Sequence, residues 1–168
     1  MEALELLLDN GMSQAVRLEW EALRAAGLPS QANHRGETNA PHITLLATDV
    51  LQATDGELTS GLSGLLPVGI RLGPVVTFPG RRLVLARLVV VSADLLAFHA
   101  VAVRASDAEP TPFTRPGAWT PHVTLARGLS AEEAGRALSL FGPEAVDGSA
   151  VILRRWNSVT RQVSHVVG

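Results

Sequence analysis

Two short segments of the chain carry matched histidine and threonine residues. Residues 41–45 read PHITL and residues 121–125 read PHVTL, so four of the five positions are identical and the fifth exchanges Ile for Val. The polar residues of the two motifs are His42, Thr44, His122 and Thr124. An imidazole has an ordinary pKa of about 6.5 and can give or take a proton near neutrality, while a hydroxyl can donate to a phosphoryl oxygen. The pair of motifs therefore indicates acid–base chemistry at phosphorus that needs no metal.

β-Branched and apolar residues around each motif predict a strand. Residues i and i+2 of a strand point to the same face, so each His shares a face with its Thr, and the apolar residues share the other face. If the two halves of the chain are related by a pseudo-twofold axis, the polar faces meet across a cleft around one small anion. The alternatives are two core strands that each hold a His, or a metal site. A metal site fits poorly, because each motif supplies one good ligand.

Apolar periodicity and turn signals predict the elements that position the motifs. The expected order is β-α-β-α-β-β-α-β-α-β-β, an α+β pattern in a single domain over residues 1–168. Predicted strands cover 3–8, 41–47, 68–78 with a break at Gly73-Pro74, 83–91, 119–126, 151–156 and 159–167. Predicted helices cover 12–26 and 53–65, and two more run from the Ser92 cap to 105 and from the Ser130 cap to 141.

The composition limits the other classes of function. Of the 168 residues, 46 % are hydrophobic, which suffices for a sizeable core. Without cysteine, disulfides and thiolate metal sites are excluded. The net charge is −2 and all 14 basic residues are Arg, so phosphate contacts must come from guanidinium, backbone N–H, hydroxyl or imidazole groups. The acidic N-terminal segment is unlike a signal peptide, and no apolar run could span a bilayer, so we expect a cytoplasmic protein that does not bind membranes.

The two H-x-T motifs, 80 positions apart and each followed by an apolar residue, resemble those of the two-histidine phosphoesterase superfamily. The resemblance is to its 2′-5′ RNA ligase / RNA 2′,3′-cyclic phosphodiesterase branch. It covers most of the chain, including the opening strand and helix and the segments Phe78–Leu88 and Pro112–Arg127. It implies a bilobal, pseudo-twofold α+β fold with two antiparallel sheets flanked by helices around a central cleft, each lobe offering one motif. It also implies a substrate with a 2′,3′-cyclic phosphate or a 2′-5′ linkage, hydrolysed without a cofactor. The residues that match the catalytic positions of the family are His42, Thr44, His122 and Thr124.

Several other residues are candidates for substrate binding. Arg115, in the loop before the second motif, could clamp a phosphate or be solvated. Trp119 and Phe78 could stack on a base or lie in the core. Arg127 ends the second motif strand, but the alternation of side chains along a strand places it on the face opposite His122. A structural role is therefore expected.

The remaining histidines and arginines receive weaker assignments. His34 and Arg35 lie in a polar loop that could line the cleft. His99 and His165 are expected to be structural. Arg154 and Arg155 lie on opposite faces of a strand, so at most one of them can face the cleft.

The predicted partner is an RNA terminus or a small nucleotide with a cyclic phosphate, bound by a monomer. Two other functions are compatible with the same cleft. Ligation of RNA ends is the reverse chemistry, but a ligase must hold two ends at once. A nucleotide-binding module without catalysis is the other, although binding alone would not require two titratable groups. Which His is the base stays open at this point.

Overall fold

A computed structural model describes residues 1–36 and 38–168 and has the predicted order of elements. The strands are β1 Glu2–Leu8, β2 His42–Thr48, β3 Val68–Phe78, β4 Leu83–Val90, β5 His122–Leu129, β6 Val146–Asn157 and β7 Gln162–Val167. The helices of the described residues are α1 Asn10–Ala25, α2 Asp55–Leu62, α3 Ala93–Ala105 and α4 Ala131–Leu138, with a 3-10 turn at Gln31–Asn33. The α+β class is therefore confirmed.

The strands are joined into one seven-stranded sheet, where two antiparallel sheets were expected. The cause is the length of β6, which pairs with β3 through residues 146–150 and with β1 through residues 150–157. In addition, one antiparallel bridge between Ile43 and Val123 joins β2 to β5. Each strand thus pairs with the next in a closed circuit of β1, β2, β5, β4, β3 and β6, because β6 also pairs with β1. β7 pairs with β6 alone.

The pairing register nevertheless divides the chain into two matched halves. The order β1-α1-β2-α2-β3 is repeated as β4-α3-β5-α4-β6. In each half the first strand pairs with the motif strand, and the third strand crosses over to the first strand of the other half. The helices cross as well, because α1 packs on β5 and β6 while α3 packs on β2 and β3. This exchange interlocks the halves and fixes the two motif strands beside one another.

Each motif strand contains one extra residue directly after its threonine. Leu4 pairs with Leu46 and Glu5 with Thr44, so Leu45 is extra in the ladder. The second half repeats the irregularity, with Leu85 paired to Ala126 and Ala86 to Thr124, which leaves Leu125 extra. Such β-bulges reverse the alternation of side chains beyond them. Ala47 and Arg127 consequently return to the face that carries the threonines.

Several elements differ in extent from the prediction, and β6 begins at Val146 rather than at residue 151. β3 continues through Gly73-Pro74, and the irregularity is absorbed as a shift in its pairing with β4 between Leu72 and Val75. β5 begins at His122 rather than at residue 119. α4 ends at Leu138 rather than at residue 141. No helix of the described residues is long and apolar enough to cross a membrane.

The core lies on the faces of the strands that point away from the motifs. In β1, Leu4, Leu6 and Leu8 are buried on this face. In α1, buried residues recur at helical spacing as Met12, Val16, Trp20 and Leu23. Asp9 fixes the start of this helix, since its carboxylate accepts hydrogen bonds from the backbone N–H of Met12 at 2.8 Å and of Ser149 at 2.6 Å.

Replacing Leu6 with Ala should lower the free energy of unfolding by about 2–5 kcal/mol, because Leu6 is fully buried and its truncation leaves a cavity. Leu18→Ala on the solvent side of α1 is the control, since 61 % of Leu18 is exposed. Its effect should stay within about 0.5 kcal/mol. Urea denaturation measures both, and equal losses in the two variants would contradict the assigned core.

Candidate active site

Three of the four motif side chains line one cleft between the halves. The cleft has a volume of about 760 Å³ and is lined by residues of β1, β2, β5, β6 and the loop before β5. His42, Thr44 and His122 line it directly. Thr124, which is 7 % exposed, lies behind the guanidinium of Arg127, whose Nη2 donates to the Thr124 Oγ1 at 3.4 Å. Among the described residues, no three His, Asp or Glu side chains converge as metal ligands.

The two imidazoles are oriented in the same way. The Nδ1 of His42 lies 2.8 Å from the carbonyl oxygen of Ala40, and the Nδ1 of His122 lies 2.9 Å from that of Thr120. Because a carbonyl oxygen can only accept, each Nδ1 carries a hydrogen and each Nε2 is left free for the cleft. The Nε2 atoms are therefore the atoms available for proton transfer.

The proline and the two apolar residues of each PHxTL motif have structural roles. Pro41 and Pro121 restrict the preceding residue to extended backbone, which fixes the carbonyl that orients each imidazole. Ile43 and Val123 are fully buried and form the bridge between the halves. The final leucine of each motif is the bulged residue.

Two tryptophans hold the backbone of the motifs. The Nε1 of Trp119 donates to the carbonyl of Thr44 at 2.9 Å, and the Nε1 of Trp20 donates to the carbonyl of Thr124 at 3.1 Å. Trp119 lines the cleft, but one face is covered by His99, whose ring stacks on it with centroids 4.0 Å apart. Trp119 thus supports the first motif.

His99 has the structural role that was expected. It is buried, and its Nε2 lies 2.9 Å from the carbonyl of Thr114 and 3.1 Å from that of Leu45. Burial lowers the pKa of His99, and the two carbonyl contacts only partly offset this effect. His99 is therefore a neutral support for Trp119 and the first motif strand.

The other predicted residues are distributed around the site. Phe78 packs against the imidazole of His122, with ring centroids 4.6 Å apart. His34 is exposed at the rim of the cleft, while Arg35 faces a neighbouring depression. Arg115 is exposed on the loop, outside the described residues that line the cleft, and His165 is exposed on β7.

The expected placement of Arg127, on the strand face opposite His122, is wrong. Strict alternation of side chains along β5 placed Arg127 on the face opposite His122. The bulge at Leu125 shifts this alternation by one residue. The guanidinium consequently lines the cleft and contacts the hydroxyl of Thr124. Arg127 therefore places a positive charge in the cleft beside the second motif.

Glu5 and Arg154 form a buried ion pair that sequence reasoning did not identify. The Nε of Arg154 donates to the Oε2 of Glu5 at 2.8 Å, and its Nη1 donates to the carbonyl of Thr38 at 2.9 Å. The Oε1 of Glu5 lies 3.5 Å from the Nε2 of His42. The sequence feature that could have pointed to Glu5 is its position inside the apolar run of residues 3–8.

The neighbouring Arg155 points to the opposite face of β6 and binds Glu2 at 2.6 Å. Of the two consecutive arginines, Arg154 therefore faces the cleft and Arg155 does not, as expected.

Two further aromatic side chains line the cleft beyond this ion pair. Trp156 lies two residues after Arg154 on β6, and Phe113 projects from the loop before β5 with 82 % of its surface exposed. The residue that pairs with Trp156 on β1 is Ala3, whose small side chain leaves room beside the indole. These apolar surfaces can accommodate a planar ring.

The electrostatic surroundings of the two imidazoles differ. Burial lowers the pKa of His122, and the positive charges of Arg127 and His42 lower it further, against the opposing effect of the Thr120 carbonyl. His122 is therefore neutral near pH 7 and able to accept a proton. On the opposite side of the cleft, His42 has a carboxylate as its neighbour.

The fold and the paired motifs are those of the two-histidine phosphoesterase class. The family model of the 2′-5′ RNA ligase superfamily matches residues 12–165, and the chain belongs to this superfamily. The resemblance seen in the paired motifs is thereby confirmed, and family and fold indicate a phosphoesterase activity of this type.

Two solved structures share the fold over 99 % of the chain. One is Usb1 of Kluyveromyces marxianus, with 13 % identity, 97 % of its own chain covered and a TM-score of 0.53. The other is a crystal structure of a phosphoesterase, with 17 % identity, 94 % of its chain covered and a TM-score of 0.55. A search of curated proteins gave no significant match.

Arg127→Met should raise the pKa of His122, because it removes a positive charge that disfavours the imidazolium. NMR titration of the His122 ring in the free protein measures the change. Arg115→Met is the matched control, since Arg115 lies outside the cleft lining, and it should leave the titration of His122 unchanged. A titration that is the same in Arg127→Met and in the wild type would contradict the assigned contact.

Proposed function

We propose that the protein is a metal-independent phosphodiesterase that opens 2′,3′-cyclic phosphates of nucleotides or RNA termini. The observation that carries this proposal is the matched pair of imidazoles, each fixed through Nδ1 so that its Nε2 is available to one shared cleft. Membership of the 2′-5′ RNA ligase superfamily supports a substrate with a ribose phosphate ester.

The reaction uses one imidazole as base and the other as acid. A neutral Nε2 removes a proton from water, and the water oxygen forms a bond to phosphorus. The bond between phosphorus and one ribose oxygen of the ring breaks, and the protonated imidazole gives its Nε2 proton to that oxygen. The product is a phosphomonoester with a free neighbouring hydroxyl, so atoms and charges balance without an added co-reactant.

Threonine hydroxyls and one guanidinium stabilise the charge that develops on the phosphoryl group. Thr44 and Thr124 donate to the non-bridging oxygens, where negative charge accumulates during attack. Arg127, next to Thr124, adds a charge-assisted contact to the same group. Positioned donors of this kind need no reorganisation at the moment of reaction.

A nucleotide suits the cleft as substrate, since apolar surface lies next to the polar centre. Trp156 and Phe113 supply platforms for a base at the end of the cleft beyond Glu5 and Arg154. With a net charge of −2 and no lysine, the chain has little electrostatic attraction for a long polyanion. A short RNA end or a mononucleotide is therefore favoured over a long RNA.

The direct test is hydrolysis of the four nucleoside 2′,3′-cyclic monophosphates, and of an RNA that ends in a cyclic phosphate, with excess chelator. The wild type should open the ring with a bell-shaped pH dependence, and His42→Ala and His122→Ala should each be slower by about 10²–10⁴-fold. Glycerol 1,2-cyclic phosphate, which has no base, should be a poorer substrate.

His165→Ala is the control for these variants, because His165 is exposed on β7 and lies outside the described lining of the cleft. It should retain the wild-type rate. Full activity in both motif variants would refute the two-histidine mechanism. Saturable nucleotide binding without cleavage of any substrate would instead favour a binding module.

A further inference from the structure

The turn that carries Phe113 is bound to the strand of the first motif. The backbone N–H of Thr111 donates to the carbonyl of Ala47 at 2.8 Å, and the Oγ1 of Thr114 accepts from the N–H of Ala47 at 3.2 Å. The two threonine hydroxyls lie 2.9 Å apart, and Thr114 is buried. Phe113 stands between these anchored residues and is nevertheless exposed, so the turn presents an aromatic ring to the cleft from a fixed place.

Small side chains separate this turn from Trp156. Ala47 on β2 pairs with Ala3 on β1, and Ala3 pairs with Trp156 on β6, so the three residues form one row across the sheet. All three line the cleft. Since neighbouring strands lie about 4.8 Å apart, the backbones at the two ends of the row are about 10 Å apart, and the alanines leave this width open to a planar ring. Phe113 and Trp156 are thus the walls of an aromatic slot, and Ala3 and Ala47 are its floor.

The buried His99 of α3 joins the turn to the first motif. Its Nε2 lies 2.9 Å from the carbonyl of Thr114 in the turn and 3.1 Å from the carbonyl of Leu45 in the motif. Because both carbonyl oxygens can only accept, Nε2 carries a hydrogen that the two share. The ring also stacks on Trp119, whose Nε1 donates to the carbonyl of Thr44. One imidazole therefore ties the turn to the motif.

The second motif is supported in a simpler way. Trp20 of α1, the helix that crosses from the other half, donates directly to the carbonyl of Thr124. At the first motif the equivalent contact comes from Trp119, which belongs to the loop before β5, and the crossing helix α3 supplies His99 against that indole. Support of a strand does not require this difference, because one helix residue suffices in the second half. The loop that forms part of the first support is the one that also carries the wall of the aromatic slot.

We propose that His99 is a positioning residue that holds Phe113 at a fixed distance from Thr44, and thereby aligns the base of a nucleotide with its phosphate. This inference rests on the proposed phosphodiesterase function. On β1, Ala3 in the floor of the slot is two residues, or about 7 Å, from Glu5, which pairs with Thr44. One ribose can bridge a base in the slot and a phosphate at the motif. A base held in register with the motif brings the phosphoryl group to the imidazoles in the geometry that the reaction requires.

The test is the preference for a substrate that has a base, measured as the ratio of kcat/KM for adenosine 2′,3′-cyclic phosphate to that for glycerol 1,2-cyclic phosphate. Stacking of one base should give the wild type a preference of about 5–150-fold. His99→Phe keeps a ring against Trp119 and removes the shared hydrogen, so this preference should fall by about fivefold or more. If both rates fall by the same factor, the role of His99 is merely structural and the proposal is overturned.

A double variant shows whether His99 acts through Phe113. Phe113→Ala should lower the preference by itself. If His99 places this ring, adding His99→Phe to Phe113→Ala should cause no further loss of preference, whereas losses that multiply would overturn the proposal. His99→Gln has an amide that can still donate to a carbonyl, so it should retain more of the preference than His99→Phe. The reverse order would also count against the proposal.

Thr114→Val tests the same turn with His99 intact. It removes the hydroxyl that binds Ala47, so the preference should fall as in His99→Phe. Thr59→Val is the matched control, because the Thr59 hydroxyl binds the carbonyl of Val166 on β7 and Thr59 lies outside the described lining of the cleft. It should keep the wild-type preference. An unchanged preference in Thr114→Val would overturn the proposal even if His99→Phe does not fold.

Binding of adenosine 3′-monophosphate and of inorganic phosphate, measured by calorimetry, gives a readout that requires no turnover. The nucleotide should bind the wild type more tightly than phosphate does, and this difference should shrink in His99→Phe and in Thr114→Val. If the wild type opens no cyclic phosphate but the difference shrinks, the proposed function fails and the role of His99 stands. If the difference is absent in the wild type or survives in both variants, the role of His99 fails whatever the enzyme cleaves.

Discussion

A single antiparallel bridge, between Ile43 and Val123, brings the two motifs together. Continuing this register by one residue in each direction places His42 across from Thr124 and Thr44 across from His122. The bridge is short, so it depends on the crossed strands β3 and β6, on the crossed helices and on the two indoles that bind the threonine carbonyls. Together these contacts give the site a local twofold arrangement.

The backbone of the site is symmetric and its charges are not. Symmetry presents two equivalent Nε2 atoms to one cleft. Burial and the positive charge of Arg127 lower the pKa of His122, whereas the neighbour of His42 is the carboxylate of Glu5. A pair of bulges, at Leu45 and Leu125, determines which later side chains reach the cleft.

Much of the fold could be predicted from local patterns. The order of elements, the strand character of both motifs and the shared face of His and Thr follow from periodicity and from the repeat itself. The placement of Arg127 could not be predicted, because a bulge depends on the partner strand. Glu5 and Arg154 are separated by 149 positions, so an acid in an apolar strand was visible and its partner was not. The single sheet follows from the way β6 divides its pairing between two strands.

The most direct measurement is single-turnover ring opening of a nucleoside 2′,3′-cyclic phosphate, in chelator, by the wild type, His42→Ala, His122→Ala and the double variant. If both imidazoles serve one reaction step, their effects are not additive. The double variant should then be about as slow as the slower single variant. Losses that multiply in the double variant would contradict a joint two-histidine site.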